Sequence, residues 1–199
     1  MARPQAVQAF LDAAEVAVID RAAPASPAGR AARRVFERSA SRVGETRTQD
    51  AGHLPVCRYL APALALAEAT ALAAVAASFR GIEPRFGWSR RRTADPADGN
   101  FWDGHANVTI LGPGGIEERD DVWVGATLVA PLVTYVDHDH PPEEVYLALT
   151  PGEWWNAAMD WTDPGSGGLI YNPPGIRHAM RSGKHPFLAL WFLPIDGAA

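Results

Sequence analysis

The chain has 199 residues, 47% of them hydrophobic and 21% charged, which excludes wholesale disorder and is long enough to bury a core without disulfides. A single cysteine, Cys57, excludes an intrachain disulfide and a cysteine-based zinc site. A net charge of −5 argues against a general nucleic-acid binder. Along the chain, Val7, Phe10, Leu11, Ala14 and Val18 recur at helical spacing and predict a first helix over residues 5–20. Pro24 interrupts the pattern. Ser26 then reads as an N-cap, with Pro27 at the first helical position of a second helix reaching about Arg42. Residues 43–57 are polar and irregular. Pro62 opens a third helix, rich in Ala and Leu, that runs to about Phe79. The stretch from Tyr59 to Phe79 is the one membrane candidate. It carries Glu68 and Thr70, and alanine contributes little to insertion, so it reads as a buried or interface helix. Residues 81–100, rich in Gly, Pro, Arg and Asp, read as a linker or crossing loop.

After residue 100 the periodicity shortens. Segments rich in Val, Ile, Leu, Thr, Tyr and Trp alternate with Gly, Pro and Asp turns. They predict strands near 106–111, 121–130, 132–140, 144–149, 153–158, 168–172, 177–182 and 187–193. Many short strands at close spacing point to an antiparallel sandwich or barrel. The expected fold is therefore mainly β, with about three α-helices in residues 1–100 packing on a barrel formed by residues 101–199.

Charge divides the same way. Residues 1–100 carry a net +4 and residues 101–199 a net −9, and five of six histidines lie in the second half. Carboxylates and imidazoles concentrated together suggest metal ligation there. The N-terminus shows Asp12, Glu15 and Asp20 where an export signal would need an apolar core, so a cytoplasmic location is expected.

The segment Tyr135-Val-Asp-His138-Asp-His140-Pro-Pro-Glu-Glu144-Val-Tyr146 carries the chemistry. His138 and His140 are two apart and project from one face of a strand, as do Glu144 and Tyr146. A hairpin at Pro141-Pro142 would bring the two pairs together. Two imidazoles and a carboxylate suit Zn, Fe, Mn, Ni or Co. A second segment runs from Gly167 through Pro173-Pro174-Gly175 to His178.

Together these segments resemble the paired motifs of cupins, which supply three His and one Glu to a metal inside a jelly-roll barrel. The match implies one divalent transition metal on His138, His140, Glu144 and His178. Three positions depart from the pattern. Leu132 stands for a glycine, Gly152 comes one residue late, and Ser182 stands for an asparagine. Tyr135 and Tyr146, added to the ligand set, resemble the bacterial cupin-type dimethylsulfoniopropionate (DMSP) lyases, particularly the DddQ kind. That resemblance implies cleavage of DMSP to dimethyl sulfide and acrylate.

Such cleavage needs a base for the proton alpha to the carboxylate. A free tyrosine, with a pKa of ~10, is a poor base at neutral pH unless nearby positive charge favours phenolate. Tyr146 is the first choice by its parity with Glu144. Tyr135 is the second, and needs a bulge near Asp137 to turn it inward. The sulfonium calls for aromatic walls. Trp123, Trp154, Trp155, Trp161 and Trp191 all lie in the β half, and the sequence does not choose among them. His105 reads as a structural or surface residue, and Arg90, Arg91 and Arg92 as a solvated loop. Another metal-dependent cupin enzyme, a dioxygenase or isomerase, and a non-enzymatic small-molecule-binding cupin are the alternatives. The expected partner is a small-molecule substrate, with no nucleic acid and no membrane. The Ala-rich helix faces either the barrel or a second subunit of a homodimer.

Overall fold

The structure, a computed structural model, describes residues 2–196. Two helices open the chain, α1 (Gln5–Ile19) and α2 (Pro27–Ser41). Ser26 caps α2 as its side chain accepts from the Gly29 N–H, with Pro27 at the first position. The predicted third helix is two. A 3-10 turn over Pro55–Tyr59 leads into α3 (Leu60–Glu68), and α4 (Ala73–Ile82) follows. The Thr70 hydroxyl causes the break. It donates to the Ala67 carbonyl and accepts from the Leu72 N–H, offering the backbone a local alternative to the helix. Among the described residues, no helix is long and apolar enough to cross a membrane. A short helix α5 (Gly99–Gly104) precedes the barrel.

Among the described residues there are eleven strands, the first between α2 and α3 and the rest after α5: β1 (Glu45–Thr46), β2 (His105–Leu111), β3 (Glu117–Glu118), β4 (Val122–Val129), β5 (Thr134–His138), β6 (Glu144–Ala148), β7 (Glu153–Asn156), β8 (Met159–Thr162), β9 (Leu169–Asn172), β10 (His178–Arg181) and β11 (Phe187–Pro194). They form a seven-stranded sheet, β1-β3-β2-β4-β11-β6-β9, facing a four-stranded sheet, β5-β10-β7-β8. Pairing is antiparallel except between β2 and β3. This is the antiparallel two-sheet arrangement expected from the strand spacing, and the jelly roll that the cupin resemblance implies. β1, β3, β8 and α5 are additions that the sequence reading did not contain.

The seven-stranded sheet is buried on both faces, which explains why β11 reads Phe-Leu-Ala-Leu-Trp-Phe-Leu without polar alternation. Leu188, Leu190 and Phe192 are fully buried, and Phe192 packs on Phe36 of α2 with ring centroids 5.3 Å apart. Trp191 and Leu193, of opposite parity, line the barrel cavity. Trp191 lies opposite Gly125 of β4, where a Cβ would come within 2.2 Å of the indole ring, so only glycine leaves room for it. Behind the sheet, Phe10, Phe79, Phe86 and Trp88 join the helices into one aromatic cluster.

Candidate metal centre and active site

His138 and His178 are opposite partners in the β5–β10 ladder, so their rings share a face, 4.1 Å between centroids. His140 lies just beyond the end of β5, with its ring 5.0 Å from that of His178. Glu144 opens β6, which pairs with β11 and β9 rather than with β5. The hairpin expected at Pro141-Pro142 is thus a corner between the two sheets. It carries Glu144 onto the other sheet while bringing its carboxylate up against the histidines, as expected.

One hydrogen-bond pattern recurs at all three imidazoles. Nδ1 of His138 meets the Val136 carbonyl at 3.2 Å, that of His140 the Pro142 carbonyl at 2.9 Å, and that of His178 the Ile176 carbonyl at 2.9 Å. A carbonyl only accepts, so each Nδ1 donates, and Nε2 is the ring nitrogen left to act as a ligand. Nε2 of His178 is buried without a hydrogen-bond partner. One ligand atom from each histidine lies within 4.8 Å of the others. Glu144 Oε2 is 3.3 Å from Nε2 of both His140 and His178. Asn172 donates to the same oxygen at 3.3 Å and is held by Asn156 at 3.1 Å. Convergent lone pairs, an orphaned buried nitrogen and a carboxylate fixed from behind fit a divalent transition metal.

The electrostatics tie these groups to one another. Burial, reinforced by the charge of His178, pushes His138 down to about 3, so its imidazole is neutral. Burial also opposes charge on Glu144, but His140 and His178 outweigh it and hold the carboxyl well below the usual range. His140 is raised, because its contact with Glu144 exceeds the effect of its burial.

A cavity of about 650 Å³ opens on this cluster, and Tyr135 and Tyr146 both line it. The β5–β10 register advances three residues on β5 against two on β10 between Met180–Tyr135 and His178–His138. That bulge lies where the Tyr135 side chain needed one to turn inward. The two phenols differ in surroundings. Tyr135 Oη accepts from Asn107 Nδ2 at 3.0 Å, and Asn107 Oδ1 accepts from Thr127 at 2.7 Å. Burial raises Tyr135 to about 12, against the opposing influence of Asn107 and Arg91. Burial raises Tyr146 well above its ordinary value, and the nearby Glu144 and Tyr135 add to the rise.

The dimethylsulfoniopropionate lyase family model matches residues 28–189. The chain belongs to the DMSP lyase family. A curated relative, dimethylsulfoniopropionate lyase DddQ of Ruegeria pomeroyi, is 29% identical over 124 residues, 61% of this chain and 61% of that protein. The match therefore spans under two thirds of the relative's length. The crystal structure of the Ruegeria pomeroyi DMSP lyase DddQ aligns with a TM-score of 0.70 at 22% identity, covering 99% of this chain and 95% of the other. A structure described with the DMSP lyases RdDddP and RnDddQII gives 0.69 at 20%, covering 96% and 93%. At those identities the likeness is one of fold, and it extends over the helices as well as the barrel.

Within this family member, the six candidate residues His138, His140, Glu144, His178, Tyr135 and Tyr146 surround one space. Of the five tryptophans in the β half, Trp123 and Trp191 line it. Trp154 is buried against Tyr146 and Phe187, and Trp161 stacks under Arg181 outside. His105 is wholly buried at the start of β2 rather than on a loop. Arg91 and Arg92 correct the solvated-loop reading of residues 90–92, because both belong to the cavity wall. The partners Asn107, Thr127 and Asn172 were missed. A signal for two of them existed: Asn107 and Thr109 share one parity of β2, and Trp123, Gly125 and Thr127 share one parity of β4, polar or small positions amid apolar ones.

Proposed function

We propose that the protein is a metal-dependent carbon–sulfur lyase that cleaves DMSP to dimethyl sulfide and acrylate. The supporting observation is the shared cavity, in which a His/Glu cluster with free Nε2 lone pairs faces two tyrosine hydroxyls, in a chain of this family. His138, His140, Glu144 and His178 are the proposed ligands. A divalent ion held there would supply positive charge that steadies the substrate carboxylate and favours phenolate nearby.

The chain's residues account for the remaining steps. A phenolate oxygen takes the proton from the carbon alpha to the carboxylate. The C–H electrons form the new double bond, the carbon–sulfur bond breaks, and its electrons leave on neutral dimethyl sulfide. Strand parity favours Tyr146 as this base, but the neighbours of the two oxygens favour Tyr135. Asn107 donates to the Tyr135 oxygen and so stabilises its ionised form; Glu144 opposes ionisation of both phenols, and at Tyr146 its hydrogen bond adds to that opposition. We assign Tyr135 as the base and Tyr146 to the wall beside Glu144. Trp123 and Trp191 supply aromatic surface for the sulfonium. Residues 1–100 serve as the cover and residues 101–199 as the barrel that holds the site.

Headspace gas chromatography of metal-loaded protein with DMSP is expected to show dimethyl sulfide. Glu144→Ala should lose metal and turnover together. Tyr135→Phe should keep the metal and lose roughly 10²–10⁴ in rate. No release above the Glu144→Ala control with Fe(II), Mn, Zn or Co would sink the lyase reading. Turnover that survives Tyr135→Phe but not Tyr146→Phe would reverse the choice of base.

A further inference from the structure

Arg91 sits in an unusual position for a guanidinium. Its backbone N–H donates to His105 Nε2 at 2.9 Å, and His105 Nδ1 is 2.6 Å from the Phe101 carbonyl. The His105 ring stacks on Phe101 with centroids 3.8 Å apart. This buried strut fixes where the side chain of residue 91 starts. The guanidinium carbon lies 5.2 Å from the Phe101 ring centroid and 5.5 Å from that of Tyr135.

Its hydrogen bonding is nearly empty. Among the described residues, the side chain makes one long contact, to the Val136 carbonyl at 3.4 Å, and its Nε is buried without a partner. No carboxylate pairs with it, although Asp139 and Glu144 line the same cavity. Neighbouring Arg90 contrasts with this: it bonds the Trp102 carbonyl at 2.7 Å, approaches Asp103 at 3.4 Å and lies over the Trp102 ring. A guanidinium held in place with open donors at a cavity wall matches the planar fork of a carboxylate.

We propose that Arg91 is the anchor for the carboxylate of the small molecule that the cavity takes. The inference rests on the lyase reading for the identity of that molecule. Arg91 stands over Tyr135 of the four-stranded sheet, whereas Trp123 and Trp191 belong to the seven-stranded one. A zwitterion with a carboxylate at one end and a sulfonium at the other is thereby oriented, its anionic end toward Arg91 and its cationic end toward the indoles.

Isothermal titration calorimetry of metal-loaded protein separates the two ends. Propionate carries the carboxylate alone, and ethyldimethylsulfonium the sulfonium alone. Arg91→Gln should weaken propionate by at least about tenfold, with ethyldimethylsulfonium unchanged or tighter. Arg91→Lys keeps the charge without the fork, and should fall between; it also serves where the glutamine variant does not fold. In turnover, either variant should raise the KM for DMSP more than it lowers kcat. Propionate affinity that ignores Arg91, absent propionate binding, or equal weakening of both ligands overturns the proposal. Arg91-dependent propionate binding without any dimethyl sulfide release would uphold the anchor and remove the lyase reading. Release of dimethyl sulfide with Arg91-independent propionate binding would do the reverse.

Discussion

Leu132 has φ 61° and is 71% exposed, so a β-carbon branch sits in the left-handed region with almost no burial in return. That backbone conformation costs roughly 1–2 kcal/mol for a residue with a side chain. The cupin-like pattern has glycine here, and the backbone retains the glycine conformation although the residue changed. Leu132→Gly should therefore stabilise the protein by up to about 1 kcal/mol, after the extra chain entropy of glycine is set against the relief. A urea denaturation midpoint that does not rise, at constant slope, would refute this. Ser182 shows the opposite kind of departure, because it takes over the connecting role. Its hydroxyl donates to the Ala130 carbonyl at 2.5 Å and accepts from the Val133 N–H at 3.0 Å, tying the end of β10 to the loop that holds Leu132.

Among the elements, α2 is the one that backs the cavity wall. Ala31, Ala32, Val35 and Phe36 are buried, and Phe36 meets Phe192 of β11, whose next-door residues Trp191 and Leu193 line the cavity. The same helix reaches β6 through the ion pair of Arg34 with Glu143, adjacent to the proposed ligand Glu144, and Tyr171 of β9 donates to Glu143 at 2.7 Å. Phe36→Ala should cost about 3–5 kcal/mol and lower the melting temperature, because a fully packed aromatic leaves a cavity behind. A loss under about 1 kcal/mol by chemical denaturation would mean that α2 docks loosely. The start of α2 and the whole of α1 were readable from a capping residue and from helical spacing. The split between α3 and α4 was not, since Ala-rich sequence suits a continuous helix and only the hydroxyl of Thr70 stops it.

Over the whole molecule, a buried ionic network fastens the helical cover to the barrel. Arg3 bonds Glu117 at 2.6 Å, and Glu117 also meets Arg119 at 3.1 Å, with all three side chains almost wholly buried. Arg119 pairs with both oxygens of Asp121 at 2.9 and 3.0 Å and donates to the Arg38 carbonyl at the end of α2. Burial alone would raise Asp121, but Arg119 and Arg42 outweigh it and hold the carboxyl at about 2. A folded-state pKa below the unfolded value of ~3.9 gives stability that is complete above that value and is lost as pH falls toward 2. Melting temperature should therefore drop between about pH 4 and pH 2, and Asp121→Asn should flatten part of that slope. An unchanged slope in the variant would show that Asp121 does not contribute to the acid sensitivity. In the sequence, nothing local reveals that Arg3 and the end of α2 arrive beside Glu117-Glu-Arg-Asp-Asp121.

Local rules carried the sequence reading as far as local physics reaches. Period-2 alternation and turn residues were enough for an antiparallel sandwich or barrel, because strand parity and tight turns are properties of neighbouring residues, while the jelly roll and the set His138, His140, Glu144 and His178 came from the resemblance to cupin motifs. Even the bulge that turns Tyr135 inward could be stated as a requirement near Asp137. What depended on residues far apart was decided by packing alone. The corner that brings Glu144 from the other sheet to the histidines, the Asn107 donor to Tyr135 and the Trp191 ring over Gly125 all join segments from different strands. The open guanidinium of Arg91 belongs with them. Its arginine run reads as surface in any local window, and only the stack of His105, Phe101 and Tyr135 turns it toward the cavity.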